Sequence, residues 1–164
     1  MCWTDEFIRE LITCPKMVTN PPKETTRAYV NAGMKKTFGL SSIDGHHTFT
    51  GFIMQNKFFA ENFSIGLIYQ THVEKGGIVL LRCNGKHGGT KQYPHHADFH
   101  LHYATAERIA AGQKAEGHIE ICNAYATLEG ALEYFVDLIN VSPGSKDLLI
   151  TPRKHQLDIF DNEL

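Results

Sequence analysis

A chain of 164 residues is the length of one domain, and its 42% hydrophobic and 21% charged residues suit a globular protein with a real core. Sixteen basic residues against 18 acidic give a net charge of −2, which excludes a surface built throughout to hold nucleic acid but leaves room for a local basic patch. Ten histidines are several times the usual share for this size, and the functional reading starts from them.

Acids at Asp5 and Glu6 stand where a signal peptide carries basic residues, and no apolar run reaches the roughly 18 residues of a membrane span. Cys2, Cys14, Cys83 and Cys122 are far apart with no C-x-x-C pair, so reduced thiols are expected. A cytoplasmic, soluble protein with no membrane partner is predicted.

In chain order, Thr4 N-caps a helix reaching about Thr13, with Phe7, Ile8, Leu11 and Ile12 as its apolar stripe. Pro15 and Asn20-Pro21-Pro22 then predict a loop without periodicity. Short β-like runs follow: Met34 to Ser41, the turn at Asp44-Gly45, His47 to Gln55, Phe63 to Thr71, and Ile78 to Cys83. His96 to Tyr103 alternates with period two. Ala97, Phe99, Leu101 and Tyr103 fall on one face, and His96, Asp98, His100 and His102 on the other.

Thr105 caps a helix to about Gln113, and Gly117 to Asn123 reads as a sixth strand with Ile119 and Ile121 inward and His118, Glu120 and Cys122 outward. Thr127 caps the clearest helix, through Leu128, Ala131, Leu132, Phe135, Val136 and Ile139, ended by Pro143-Gly144. The predicted class is α+β: a single antiparallel sheet of about five to six strands with helices packed mainly on one face. Residues 1–141 form the domain. Residues 142–164 are a tail, read as partly disordered or as a docking segment.

On the predicted strand face the side chains recur about every 7 Å. Neutral imidazoles there can ligate a divalent metal such as zinc, with His100, His102 and Asp98 as the ligands and Glu120 as an alternative oxygen donor. Alternatively, His96, His100 and His102 do acid–base work without a metal, Asp98 fixes one tautomer, and His87 is a further proton donor. A solvated polar face is the bland reading.

Residues 75 to 97 contain no acid. Arg82, Lys86, Gly88, Gly89 and Lys91 are the expected phosphate-binding set, since glycines beside cations let backbone N–H groups face an anion. The bland counterpart is a hairpin loop whose glycines only satisfy turn geometry. Neither a G-x-x-x-x-G-K-[ST] loop nor a dinucleotide fingerprint is present. His46-His47-Thr48 offers only one of the two H-x-[ST] elements of two-histidine phosphoesterases. His100, His102 and Glu107 imitate half a cupin motif, and Cys83 and Cys122 read as packed thiols.

Leu81-Arg82-Cys83-Asn84-Gly85, His87-Gly88, His95-His96, His100, His102 and the helix from Thr127 to Val141 resemble small bacterial toxin–antitoxin proteins of the TumE type, over about residues 63–141. The family's usual Tyr-Asp-Asn is replaced here by Cys83-Asn84. The resemblance implies a toxin–antitoxin or phage-defence setting, a ribonuclease-like role and a cognate antitoxin partner. The expectation is therefore a small nuclease or phosphoesterase acting on RNA or a nucleotide. The alternative is a non-catalytic binding or regulatory module that homodimerises through its sheet.

Overall fold

Seven strands run as one antiparallel meander, each hydrogen-bonded to the next in sequence from β1 to β7. The computed structural model describes residues 2–25, 33–72 and 75–150. The strands are β1 (Lys16–Glu24), β2 (Gly33–Ser42), β3 (Thr48–Asn56), β4 (Phe63–Tyr69), β5 (Ile78–Asn84), β6 (His100–Ala104) and β7 (Glu116–Ile121). Helices α1 (Asp5–Thr13), α2 (Ala106–Ala110), α3 (Leu128–Leu138) and α4 (Pro143–Lys146) complete the α+β fold. Among the described residues no helix is long and apolar enough to cross a membrane.

Strand alternation decides what each face does. Phe38, Leu40, Phe49, Ile65, Leu67, Leu81, Cys83 and Leu101 share one face and are buried, with Ile8, Leu11 and Ile12 of α1 and Ala131, Phe135 and Val136 of α3 in the same core. The helices start where their caps are. Thr4 Oγ1 accepts the Phe7 N–H at 3.0 Å, and Thr127 Oγ1 accepts that of Gly130 at 3.1 Å. On the opposite face, register brings Phe52, Gly66, Arg82, His102 and Ile119 into one cross-strand row.

The count of seven exceeds the expected five to six because residues 16–24 form a strand rather than a loop. Pro21 and Pro22 hid it, since proline donates nothing to a ladder. Here they sit on the edge strand, where register shifts between Val18 and Asn20 and between Asn20 and Lys23 accommodate them. Lys16 is fully buried at its start. Its Nζ donates to the carbonyls of Ile12 (2.7 Å), Cys14 (2.8 Å) and Ile139 (3.0 Å), joining the C-terminal ends of α1 and α3.

The histidine strand is also shorter than its alternation suggested. Pro94 opens a 3-10 turn over Pro94–Ala97, so β6 begins only at His100. In β7 the faces are exchanged relative to expectation. Ile119 and Ile121 oppose His102 and His100 on the open side, whereas His118 and Glu120 oppose Tyr103 and Leu101 on the helical side. Cys122 is buried rather than outward. At the C-terminal end, Pro143 opens α4, and Leu149 packs into the core. Residues 142–150 are thus integral to the domain, and the rest of the predicted tail lies outside the described residues.

Candidate metal centre

The site is built where β5 and β6 leave the core. Tyr125, buried beneath them, brings its hydroxyl to the carbonyls of Asn84 (3.1 Å) and His100 (3.2 Å), bolting the two strand ends together. Asn84 pairs with His100 and Arg82 with His102 across the ladder, so all four side chains rise on the open face.

The loop between these strands folds back over that face. The His87 N–H donates to the His96 carbonyl (2.9 Å), closing the loop's two arms. A turn at Thr90–Tyr93 and the 3-10 turn after it then deliver His95 and His96. Two loop positions need glycine, one for its backbone angle and one for close packing. Gly88 has φ +84°, and a Cβ on Gly89 would meet the Ala97 Cβ at 2.9 Å.

Five imidazoles converge as a result. The ring centroids of His95, His100 and His102 lie 5.0 to 5.6 Å apart, and those of His87 and His96 lie 4.0 Å apart. Among the described residues two triads have ligand nitrogens within 4.8 Å of one another: His95, His100 and His102, and His87, His96 and His100. Both contain His100.

Hydrogen bonds set the tautomer of His100. Its Nδ1 lies 2.8 Å from the Asp98 carbonyl, which can only accept, so Nδ1 carries the proton. The Ser64 hydroxyl donates to Asn84 Oδ1 at 2.7 Å, which turns the Asn84 amide nitrogen toward His100 Nε2 at 3.3 Å. His87 follows the same pattern, with Nδ1 3.0 Å from the Gly85 carbonyl and Nε2 left for another partner. Backbone carbonyls holding one ring nitrogen are how metal-binding histidines are oriented; an ion at His100 Nε2 would take the lone pair that the Asn84 amide now faces.

Two observations test whether the residues fit an ion. Among the described residues His95 Nε2 is buried with no hydrogen-bond partner, an orphaned ring nitrogen beside two other imidazoles. His100 and His102 are also held neutral. Burial, followed by neighbouring positive groups, lowers the first to about 4 and the second to about 3, and burial lowers His96 as well. Neutral imidazole is the form that ligates, and three imidazole nitrogens make a zinc-type donor set.

Of the expected ligands, His100 and His102 lie in a triad, and Asp98 lies in neither. Asp98 does orient His100, but through its backbone carbonyl rather than its carboxylate. His96 and His87 reach the cluster from the loop. His95 was overlooked because it is out of phase with the strand alternation, a phase that the 3-10 turn cancels. Asn84, Ser64 and Tyr125 carried no distinguishing sequence signal.

The expected phosphate set is dispersed. Arg82 Nη2 pairs with Glu116 at 2.6 Å, and the Arg82 Nε is buried without a partner among the described residues. Lys86 Nζ lies over the Phe99 ring, 5.0 Å from its centroid. Gly88, Gly89 and Lys91 lie in the exposed part of the loop. His118 and Glu120 bond each other at 2.8 Å on the helical side, away from the cluster. Cys83 and Cys122 are buried, and burial pushes the Cys83 thiol up, as suits a packed residue. Comparisons of the chain with family models, curated proteins and solved structures find no match.

Proposed function

We propose that the protein is a metal-assisted phosphoesterase or nuclease, acting on RNA or a nucleotide, whose ion is held by His95, His100 and His102. The observation that carries this reading is the gathering of three imidazoles with ligand nitrogens within 4.8 Å of one another, one of them with its Nε2 buried and, among the described residues, unpartnered. An all-nitrogen donor set selects zinc or a neighbouring transition ion over magnesium or calcium, which take oxygen ligands. Such an ion supplies Lewis acidity toward a phosphoryl oxygen and makes water more acidic.

The chain's own residues do the rest. The Asp98 carbonyl and the Asn84 amide orient His100, and the Arg82–Glu116 pair stands beside His102. His87 and His96, whose rings lie 4.0 Å apart, form the group available for proton transfer near the bound ester. With His100 and His102 neutral well below pH 7, metal ligation suits them better than an imidazolium acid role.

The experiment is metal analysis of the purified protein, followed by hydrolysis of bis-p-nitrophenyl phosphate and of RNA with and without EDTA. Zinc-class metal near one equivalent, activity lost to EDTA and to His95→Ala with the circular dichroism spectrum unchanged, supports the reading. Metal-free protein that cannot be loaded, or activity indifferent to EDTA and to His95→Ala, ends it.

A second reading is favoured by one observation. Ile119 and Ile121 are 39% and 53% exposed on β7, whose outer edge is unpaired among the described strands. An exposed apolar edge strand invites pairing with a second copy, as a homodimerising binding or regulatory module requires.

A further inference from the structure

The turn between β3 and β4 carries a feature that the histidine cluster does not use. Phe58 and Phe59 are adjacent there and are 76% and 69% exposed. They are not on a slack loop. Both of their N–H groups donate to Asn56 Oδ1 (2.8 and 3.1 Å), and Gln55 Nε2 donates to the Ala60 carbonyl at 3.1 Å. The Asn56 N–H donates to the Asn62 carbonyl at 2.8 Å, and that of Asn62 to the Phe59 carbonyl at 2.9 Å. A backbone pinned this firmly, with two phenyl rings turned to solvent, marks a contact surface.

This turn abuts the start of the histidine loop. The Gly85 N–H donates to the Phe63 carbonyl at 2.8 Å, and a Cβ on Gly85 would lie 1.8 Å from the Glu61 carbonyl oxygen. Cations accompany the aromatic rings on both segments. Lys57 Nζ lies 5.9 Å from the centre of the Phe58 ring, and the neighbouring loop carries Lys86 and Lys91. Along that loop Tyr93 is 45% exposed and stacks on His96, with centroids 5.1 Å apart and planes 14° from parallel. Exposed rings and lysines thus stand on both of these adjoining segments, with Glu61 the one acid in the turn.

We infer that the polymer taken by this site is single-stranded nucleic acid, with unpaired bases stacking on Phe58 and Phe59 and phosphates meeting Lys57 and Lys91. The inference deepens the phosphoesterase reading and rests on it. Stacking explains why the rings are exposed and adjacent: every base has a π-face, and only an unpaired strand can splay its bases onto a protein surface. Lysines beside the rings supply the charge that the strand's backbone requires. In a duplex those base faces are already covered by neighbouring base pairs.

The test is fluorescence anisotropy on the full chain with a labelled 12-nucleotide oligouridine and with the matching duplex, at two salt concentrations. Each sample is also run on a gel for cleavage. The single strand is expected to bind more tightly than the duplex. The Phe58→Ala/Phe59→Ala double variant should weaken it about tenfold or more, and Lys91→Ala should lower the salt slope by about one. Metal content should stay unchanged in the double variant, because the Phe58–Phe59 turn contributes no residue to either triad. The inference is overturned if the duplex binds as well, or if the double variant binds oligouridine normally. It is equally overturned if the double variant loses only affinity for anionic lipid vesicles or only self-association in the ultracentrifuge. Strand binding without any cleavage would sink the phosphoesterase reading and leave the binding surface standing.

Discussion

The Asn84 amide nitrogen lies 3.3 Å from His100 Nε2, and the same amide accepts the Ser64 hydroxyl on its oxygen at 2.7 Å. Three strands therefore cooperate to fix one imidazole: β4 supplies the hydroxyl, β5 the amide and β6 the ring. With Nδ1 committed to the Asp98 carbonyl, the ring has one lone pair to offer, and Asn84 faces it.

Asn84→Asp reverses the polarity of that contact. A carboxylate facing Nε2 stabilises the imidazolium, so the His100 pKa should climb from about 4 by about 1–3 units. An NMR titration of the His100 ring protons in the metal-free protein measures it. A midpoint that stays near 4 would show that the two side chains do not communicate.

Acid should unfold the metal-free protein steeply. His100 and His102 have folded pKa values of about 4 and about 3, below the ordinary 6.5 of an unfolded chain. The unfolded state therefore takes up protons first as pH falls. Stability is full above about 6.5 and is lost progressively down to about 3–4, with a slope approaching two protons, or ~2.7 kcal/mol per pH unit. Urea unfolding at pH 7, 6, 5 and 4 gives the curve, and His102→Gln should make it visibly shallower. Equal slopes in the variant and the parent would refute the assignment.

Helices α1 and α3 and the four central strands were legible because their signals are local. Thr4 and Thr127 cap apolar stripes, and β2 to β5 have turn chemistry at their ends. Strand β1 was hidden because its pairing is non-local and its prolines argue against it. The histidine site was half legible. Composition located it and alternation found His100 and His102, but alternation also enrolled Asp98 and passed over His95. What brings His95 in is a loop folding back across the sheet, fixed by the His87–His96 backbone bond and by Pro94, neither of which has a period. Likewise, the Arg82–Glu116 pair joins residues 34 positions apart, so nothing near Arg82 announced that its charge is matched.

Zinc should stabilise the fold through His95. At 100 times the dissociation constant a bound ion adds about 2.7 kcal/mol, which raises the Tm of a domain this size by on the order of 5–10 °C. A thermal melt with zinc and then with EDTA should show the gain and its reversal. His95→Ala should abolish the gain, whereas His118→Ala, on the opposite face, should keep it. A gain that survives His95→Ala would place the ion elsewhere.

Lys16→Met tests the link between the helix ends. The thioether has nearly the same reach but donates nothing, leaving the carbonyls of Ile12, Cys14 and Ile139 without the Nζ that now serves all three. Unsatisfied buried acceptors cost about 1–3 kcal/mol each. Partial relief by water brings the expected loss to roughly 3 kcal/mol or more in urea unfolding. Lys16→Arg should not restore it, because a planar guanidinium cannot place three donors around the same point. Stability within about 1 kcal/mol of the parent for either variant would show that the carbonyls find other partners.

Gly66→Val tests how the open face supports the site. A Cβ at residue 66 would stand 2.3 Å from the Phe52 ring and 3.1 Å from the Arg82 Cγ. The ring lies across the glycine and helps fill the row that continues through Arg82 to His102. A branched side chain must push both neighbours, at a cost of about 1–3 kcal/mol in stability. Because Arg82 holds Glu116 and stands beside His102, the push should also reach the metal site as a measurable fall in zinc affinity. Phe52→Leu removes the ring without crowding Arg82. It should therefore lose comparable stability and keep its zinc, and that contrast separates displacement of Arg82 from general loosening of the sheet.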